Sequence, residues 1–470
     1  MVFSSVTFLF YFLPVFFGIY YILPKSLRNW WVLIASSLFY AWGAPLFFFI
    51  LVGSSLIDYF LVDRIYKSDK KSFRRTLLSI SLIKNIGLLL YYKYADFFIE
   101  NINLALHGLG IKEISVLEVV LPIGISFYTF QTITYAMDVY NNKHKPVQHP
   151  HELLLYILSF PQMIAGPIVQ FNTVADQITD RIETTDKFLF GFYRFSIGLG
   201  KKVLIANTIG ALATQMLGIA DPSASQAWIG ILAYTFQIYF DFSGYSDMAI
   251  GLGKMMGFDF PENFDNPYTS KSITEFWRRW HITLGAWMRQ YLYIPLGGNR
   301  VKHKSRLYFN LWIVFLISGL WHGASWNFVI WGAYHGVFLV LERIFLLRIL
   351  EKSGKFVSWV WTFFIVVVGW VFFSIEDSNH MWSYLSALFH YGPSAPLNID
   401  PRAITLLFIA AFFSFFTLFK IGKGIEESTF IETSNIKPIL IRSMLSLILI
   451  LLSVGAISGE GFNPFIYFRF

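Results

Sequence analysis

The sequence predicts an all-α, polytopic integral membrane protein, with about ten to twelve full transmembrane helices plus re-entrant and interfacial pieces. Three observations lead there. The 470 residues are 55% hydrophobic and only 14% charged, where soluble domains carry about 25% charged residues. Successive apolar runs approach the roughly 20 residues that a spanning helix requires. The excess positive charge, +8 overall, is gathered into a few loops between those runs.

In chain order the runs lie near 6–22, 30–42, 45–60, 77–92, 115–137, 152–169, 188–218, 226–251, 307–321, 326–348, 357–374, 403–420 and 437–456. The first is apolar from its start and lacks a basic flank and an Ala-x-Ala cleavage site, so it reads as a retained helix. Neither Pro-rich nor Gly/Ser-rich linkers interrupt the series. We read residues 1–470 as a single membrane domain, with no soluble domain at either end and no internal repeat.

Charge then orients the runs, because Lys and Arg concentrate in cytoplasmic loops. Lys25 with Arg28, the group Arg64, Lys67, Lys70, Lys71, Arg74 and Arg75, and Lys143 with Lys145 mark that side. Counting spans places the N-terminus and the turn Trp42–Pro45 on the opposite, outer face. The largest basic block runs from Lys271 to Arg306, with eight cations against Glu275. Charge used in this way signals topology, and no nucleic-acid partner is expected.

That block contains "SITEFWRRWHITL". Ser272 and Thr274 are candidate caps for an amphipathic helix. On such a helix Trp277, Trp280, His281 and Leu284 share one face at i, i+3, i+4 and i+7, and Glu275 pairs with Arg279. Tryptophan and arginine together serve as an interfacial anchor on lipid headgroups. The same Arg278 and Arg279, with Trp277 and Trp280, also suit an entrance that receives the phosphates of an anionic donor. An inward histidine adds a functional reading, because an ionisable group within a membrane is costly.

A second histidine, His322, follows in "GLWHGASWN". Sixteen residues separate it from Arg306, about 24 Å along an unbroken helix, so it lies within the membrane-embedded part. Ser318, Gly319, Ser325 and Trp326 are its expected neighbours. Small residues there also favour close helix packing.

No cysteine is present, which excludes disulfides, thiolate metal sites and a cysteinyl acyl-enzyme. Histidines at catalytic-zinc spacing are missing, with His303 and His335 the nearest extras, so no metal is expected. A G-x-S-x-G elbow is also missing; "FSGYSD" imitates one only superficially. What fits is an imidazole acting as general base on a hydroxyl, worth roughly 10²–10⁴ in rate, with two substrates held together. Transfer from a thioester to an alcohol needs little more. A transporter or flippase of a polysaccharide precursor, using the histidines as proton relays, is the alternative; it predicts paired broken helices in repeats.

At these residues the chain resembles the membrane-bound O-acyltransferase superfamily and, within it, the bacterial alginate O-acetylase branch. The stretches concerned are "MVFSSVTFLFYFLP" (1–14), "PIGISFYTFQTITYAMDVY" (122–140), "FPQMIAGPI" (160–168), "YFDFSGYSDMAIGLGKMMGFDFPENFDNPY" (239–268), "SITEFWRRWHITLGAWMRQYLYIPLGGNR" (272–300), "GLWHGASWNFVIWGAYHG" (319–336) and the terminal "NPFIYFRF". The resemblance implies a catalytic core at about 115–350 around a central tunnel, in the bacterial inner membrane. It implies that acetyl enters from cytoplasmic acetyl-CoA, with no permanently bound cofactor. The acetyl group then leaves for an extracellular polysaccharide such as alginate, or for cellulose or peptidoglycan, through a periplasmic SGNH-like partner. His322 would deprotonate or orient the accepting hydroxyl, and His281, nearer the cytoplasmic rim, would position the donor or relay a proton. Asp138, Asp241 and Asp247 read as structural hydrogen-bonding groups, although Asp241 with Tyr239 and Tyr245 also suits a polar tunnel lining. Gly166, Pro167, Gly297 and Gly298 read as bends and re-entrant turns.

Overall fold

A computed structural model describes residues 2–390, 397, 399–459 and 465–466. Of the terminal "NPFIYFRF", only Phe465 and Ile466 fall among them. No β-strand occurs among the described residues. The helices group into two compact units, Met1–Glu183 with Met256–Phe260, and Thr184–Met255 with Pro261–Phe470.

The first unit holds α1 (Leu13–Ile22), α2 (Lys25–Ala41), α3 (Pro45–Lys67), α4 (Lys71–Leu89), α5 (Ala95–Gly108), α6 (Ile125–Tyr140), α7 (Pro150–Leu158) and α8 (Phe171–Thr179). Proline at the first turn of α1, α3 and α7 marks where these helices begin, since its missing N–H is not needed there. Phe12, Phe39 and Phe160 pack ring to ring, with centroids 5.3–5.7 Å apart. Buried Asp58 of α3 accepts hydrogen bonds from Ser81 (2.6 Å) and Asn85 (3.0 Å) of α4 and pairs with Lys84. A charge placed in an apolar helix is tolerated because its partner is one helix away.

Two apolar runs are shorter as helices than their hydropathy suggested. The 115–137 run becomes helical only at Ile125, after Pro122 and Gly124. Gly124 has φ +77°, and a Cβ there would stand 2.7 Å from the Met163 carbonyl oxygen. The 152–169 run leaves the helix at Leu158 and continues as a loop through Gly166, also at positive φ.

The second unit holds α9 (Thr185–Gly200), α10 (Asn207–Leu217), α11 (Ala224–Met255), α12 (Ile273–Arg279), α13 (Ile282–Trp287), α14 (Lys304–His322), α15 (Trp326–Leu341), α16 (Leu347–Ser353), α17 (Lys355–Ser374), α18 (Ser378–Ala387), α19 (Pro401–Phe415), α20 (Lys420–Thr429) and α21 (Ile436–Gly459). A π-helical turn, Lys201–Ala206, joins α9 to α10. It brings Lys202 to Asp241 (2.5 Å) and Lys201 to Asp247 (2.7 Å) on α11. The acids of α11 therefore hold an irregular turn in the neighbouring helix, as the structural reading required. α11 itself is unbroken for 32 residues.

Among the described helices, α3, α17, Pro401–Leu418 and α21 are long and apolar enough to cross a membrane by length and composition alone. Helix α14 opens on Lys304 and Arg306, and its apolar remainder lies against α15. At that contact a Cβ on Gly319 would lie 2.2 Å from the Phe328 carbonyl oxygen, and one on Gly332 2.5 Å from that of Phe315. Two glycines thus let two backbones nearly touch, and this crossing sets the position of His322.

Candidate active site

The opening half of the basic block does form a helix. Ser272 caps α12 by accepting from the Glu275 N–H at 3.0 Å. Glu342, buried just beyond α15, accepts from the Ile273 N–H (2.6 Å), the Thr274 N–H (2.9 Å) and the Thr274 hydroxyl (2.7 Å). An acidic group on the orphan N–H groups of a helix start is favourable. Thr274 is therefore a donor to Glu342 instead of the cap. Glu275 pairs with Arg279 at 3.0 Å, as the spacing indicated.

The continuous amphipathic helix expected through "WRRWHITL" does not form. The chain breaks at Trp280–His281, and His281 adopts φ +45°, a left-handed conformation unusual outside glycine. The break has identifiable causes. The Asp265 N–H donates to the Arg279 carbonyl (3.0 Å), the Ile282 N–H donates to the Asn263 carbonyl (2.9 Å), and Phe264 forms an isolated antiparallel bridge with Trp280. The 263–265 segment takes backbone groups that an uninterrupted helix would have used itself. His281 consequently leaves the face of Trp277 and turns its ring edge-on to Phe242, at 4.7 Å between centroids.

His322 is the last residue of α14, which runs unbroken from Lys304 as the sequence indicated. Gly323 then turns extended, so Ser325 and Trp326 do not continue the His322 face; Trp326 instead begins α15 and is exposed. The ring neighbours are aromatic: Trp321 at 5.0 Å, Trp331 at 5.1 Å and Phe373 at 5.2 Å. Ser318 and Gly319 remain in the preceding turn. Nineteen helical residues put His322 about 27 Å along α14 from the basic Lys304 end. It also lies only two residues from the partly exposed Ala324.

Trp321 joins the two histidines. Its ring is 6.0 Å from His281 and 5.0 Å from His322, so the two imidazoles lie within about 11 Å of each other, the sum of those separations. Both are buried, at 1% and 3% exposure. Burial pushes the His281 imidazole down from 6.5 to about 3, so at neutral pH it carries one proton.

The four residues read as an entrance separate. Arg278 is exposed and pairs with no carboxylate among the described residues. Arg279 is held by Glu275 and Asp265. Trp277 is half-buried against Phe315, Trp331 and His335, at 5.0–5.3 Å. Trp280 is buried between Phe264 and Trp370. The two tryptophans are thus packing residues of the site wall, because the break at His281 draws α12 into the aromatic core. His335 belongs to the same cluster, 5.2 Å from Trp331.

Asn263 was not singled out by sequence reasoning. Its Oδ1 lies 3.1 Å from His281 Nδ1. Nor were Trp321, Trp331 and Phe373, the rings that enclose His322. Only a weak signal for Asn263 was present: "DFPENFDNPY" is a polar stretch ending at the basic block.

Residues 69–382 match the model of the membrane-bound O-acyltransferase family, a range that includes both histidines and all of α6 to α17. The chain belongs to the membrane-bound O-acyltransferase family. It is therefore an integral membrane enzyme. This acyltransferase is 38% identical to the "Probable alginate O-acetylase AlgI" of Azotobacter vinelandii over the full length of both chains. It is 38% identical to the "Peptidoglycan O-acetyltransferase" of Helicobacter pylori, over 80% of this chain and 77% of that one. Similarity to the "Teichoic acid D-alanyltransferase" of Bacillus subtilis is lower, 30% over 52% of this chain and 65% of the relative. In this acyltransferase the two buried imidazoles stand on either side of Trp321.

Proposed function

We propose that this O-acetyltransferase takes acetyl from cytoplasmic acetyl-CoA and delivers it across the bacterial inner membrane for O-acetylation of an extracellular polysaccharide. The polymer is a uronate of the alginate type, reached through a periplasmic hydrolase-like partner. Full-length similarity to an alginate O-acetylase supports the polymer, and the cationic loops support a periplasmic N-terminus.

The observation that carries the mechanism is the pair of buried imidazoles on either side of Trp321. His322 sits at the end of α14 remote from the basic loop, within two residues of the surface, where a hydroxyl approaching from outside meets it. Its imidazole takes the hydroxyl proton as the oxygen attacks the thioester carbonyl. The C–S bond breaks, the acetyl group becomes an oxygen ester, and the thiolate is protonated to the free thiol. That proton passes from the His322 imidazolium to the thiolate, and His281 positions the donor or relays the proton between them. Arg278 offers the exposed charge for donor phosphates, and membrane lipid surrounds the helices.

The test uses the native bacterium. Deleting the gene is expected to remove alkali-labile acetate from the secreted uronate polymer, with restoration by the wild-type gene but not by His322→Ala expressed at equal level. Unchanged polymer acetate after deletion would refute the assignment.

A further inference from the structure

We propose that Asn263 is a positioning residue that holds His281 in the tautomer with its proton on Nδ1, presenting Nε2 as the basic nitrogen. This deepens the functional reading above and rests on His281 taking part in transfer.

The assignment comes from what each partner is able to donate. Asn263 is buried at 1% exposure. Its Oδ1 receives the Thr283 hydroxyl at 2.9 Å and faces the Thr283 backbone N–H at 3.4 Å, while its Nδ2 donates to Ser246 Oγ at 3.0 Å. A backbone N–H only donates, so the atom it faces is the amide oxygen and the side chain cannot be flipped. The His281 Nδ1 that lies 3.1 Å from this oxygen must then donate as well. A neutral imidazole has a single N–H, so Nε2 carries the lone pair.

The loop that brings this oxygen is anchored through consecutive residues. Glu262, just before Asn263, takes both terminal nitrogens of Arg194, at 2.7 and 2.5 Å. Arg194 in turn donates twice to Asp247, at 2.9 and 2.7 Å, and Lys201 donates to the other Asp247 oxygen at 2.7 Å. Asp247 follows Ser246 on α11. Two adjacent loop residues are thus tied to two adjacent helix residues, one pair by ions and the other by an amide. That register sets the height of the Asn263 oxygen against an imidazole already fixed by a left-handed backbone. A group required only to fill space would need neither the amide orientation nor the paired anchor. The arrangement matches one in which the far nitrogen must accept a proton or hydrogen bond at a defined place.

The experiment measures acetyl transfer from labelled acetyl-CoA by native-host membranes carrying each variant. Asn263→Leu is expected to lower kcat by roughly 10²-fold, with KM for acetyl-CoA within about twofold of wild type. Asn263→Asp keeps the acceptor oxygen and is expected to recover most of the loss. Its carboxylate stabilises the imidazolium, so the acid limb of kcat should move to higher pH. Full kcat in Asn263→Leu overturns the proposal. So does an Asn263→Asp enzyme no more active than Asn263→Leu with an unmoved pH profile, and this criterion holds even where Asn263→Leu fails to fold. His281→Ala separates the two levels: full transfer in that variant removes the role of His281 on which this proposal rests and leaves the acetyl transfer itself standing, whereas loss in His281→Ala with full activity in Asn263→Leu removes the tautomer assignment alone.

Discussion

His281 is neutral in the fold because Phe242, Trp321 and the Asn263 amide replace water around its ring. The direction of the resulting pH effect is fixed. The folded imidazole binds a proton only near pH 3, while the unfolded one does so near 6.5, so acid favours the unfolded chain. The stabilisation is complete above about pH 6.5 and declines as pH falls from there toward 3. Replacing His281 with Asn, which does not titrate, is expected to flatten that dependence: thermal unfolding in detergent at pH 7.5 and 5.0 should differ less in the variant than in wild type. Equal differences would show that His281 is not buried as described. The histidines themselves were legible in the sequence as polar groups in improbable places. The tautomer of one and the aromatic enclosure of the other were not, because they depend on partners 18 and 51 residues away, at Asn263 and Phe373.

At the scale of elements, the site depends on two devices. One is the glycine crossing of α14 and α15. A methyl at Gly319 would meet the Phe328 carbonyl at 2.2 Å, so Gly319→Ala must push the helices apart at a cost of about 1–3 kcal/mol. A lowered melting temperature is expected, while Gly18→Ala, with nothing within 4 Å, should melt like wild type. Equal melting of the two variants would count against the close crossing. The other device is the charge set of α9 and α11. Removing Arg194 leaves the half-exposed Glu262 without its cation and Asp247 with Lys201 alone, so the cost falls below the about 3–5 kcal/mol of a buried charge left with no partner. Arg194→Met should still lower the denaturation midpoint, and an unchanged midpoint would contradict the pairing. This set was readable in principle, since Arg194, Lys201 and Lys202 in one apolar run face Asp241 and Asp247 in the next. The helix break at His281 was harder to read, because "WRRWHITL" has good helical periodicity and yields only to backbone bonds from residues 263–265.

For the whole molecule, hydropathy and charge carried most of the architecture. An apolar, cysteine-free, all-helical chain with its cations in loops was plain from composition, and α3, α17 and α21 lie on their predicted runs. Where runs were shortened, hydropathy read an apolar loop as a helix: 159–169 is a buried loop, whereas 115–124 carries mostly exposed apolar side chains such as Leu117, Val120 and Ile123. The same absence of cysteine makes sidedness testable without background. Gly43→Cys, in the exposed turn before α3, should react with an impermeant maleimide added to intact cells once the outer membrane is made permeable. Asp69→Cys, in the exposed loop after α3, should react only after the inner membrane is opened. Reversed labelling would invert the topology and contradict the proposed entry of the donor at the basic block. The central claim, that the His322 imidazole takes the proton of the accepting hydroxyl, is tested most directly by label transfer. Membrane vesicles holding the enzyme and its acceptor receive acetyl-labelled CoA on the cytoplasmic face, with wild type compared to His322→Ala and His322→Gln at matched melting temperature. Loss of transfer by roughly 10²-fold or more in both variants is predicted, and transfer at the wild-type rate in either folded variant would contradict the claim.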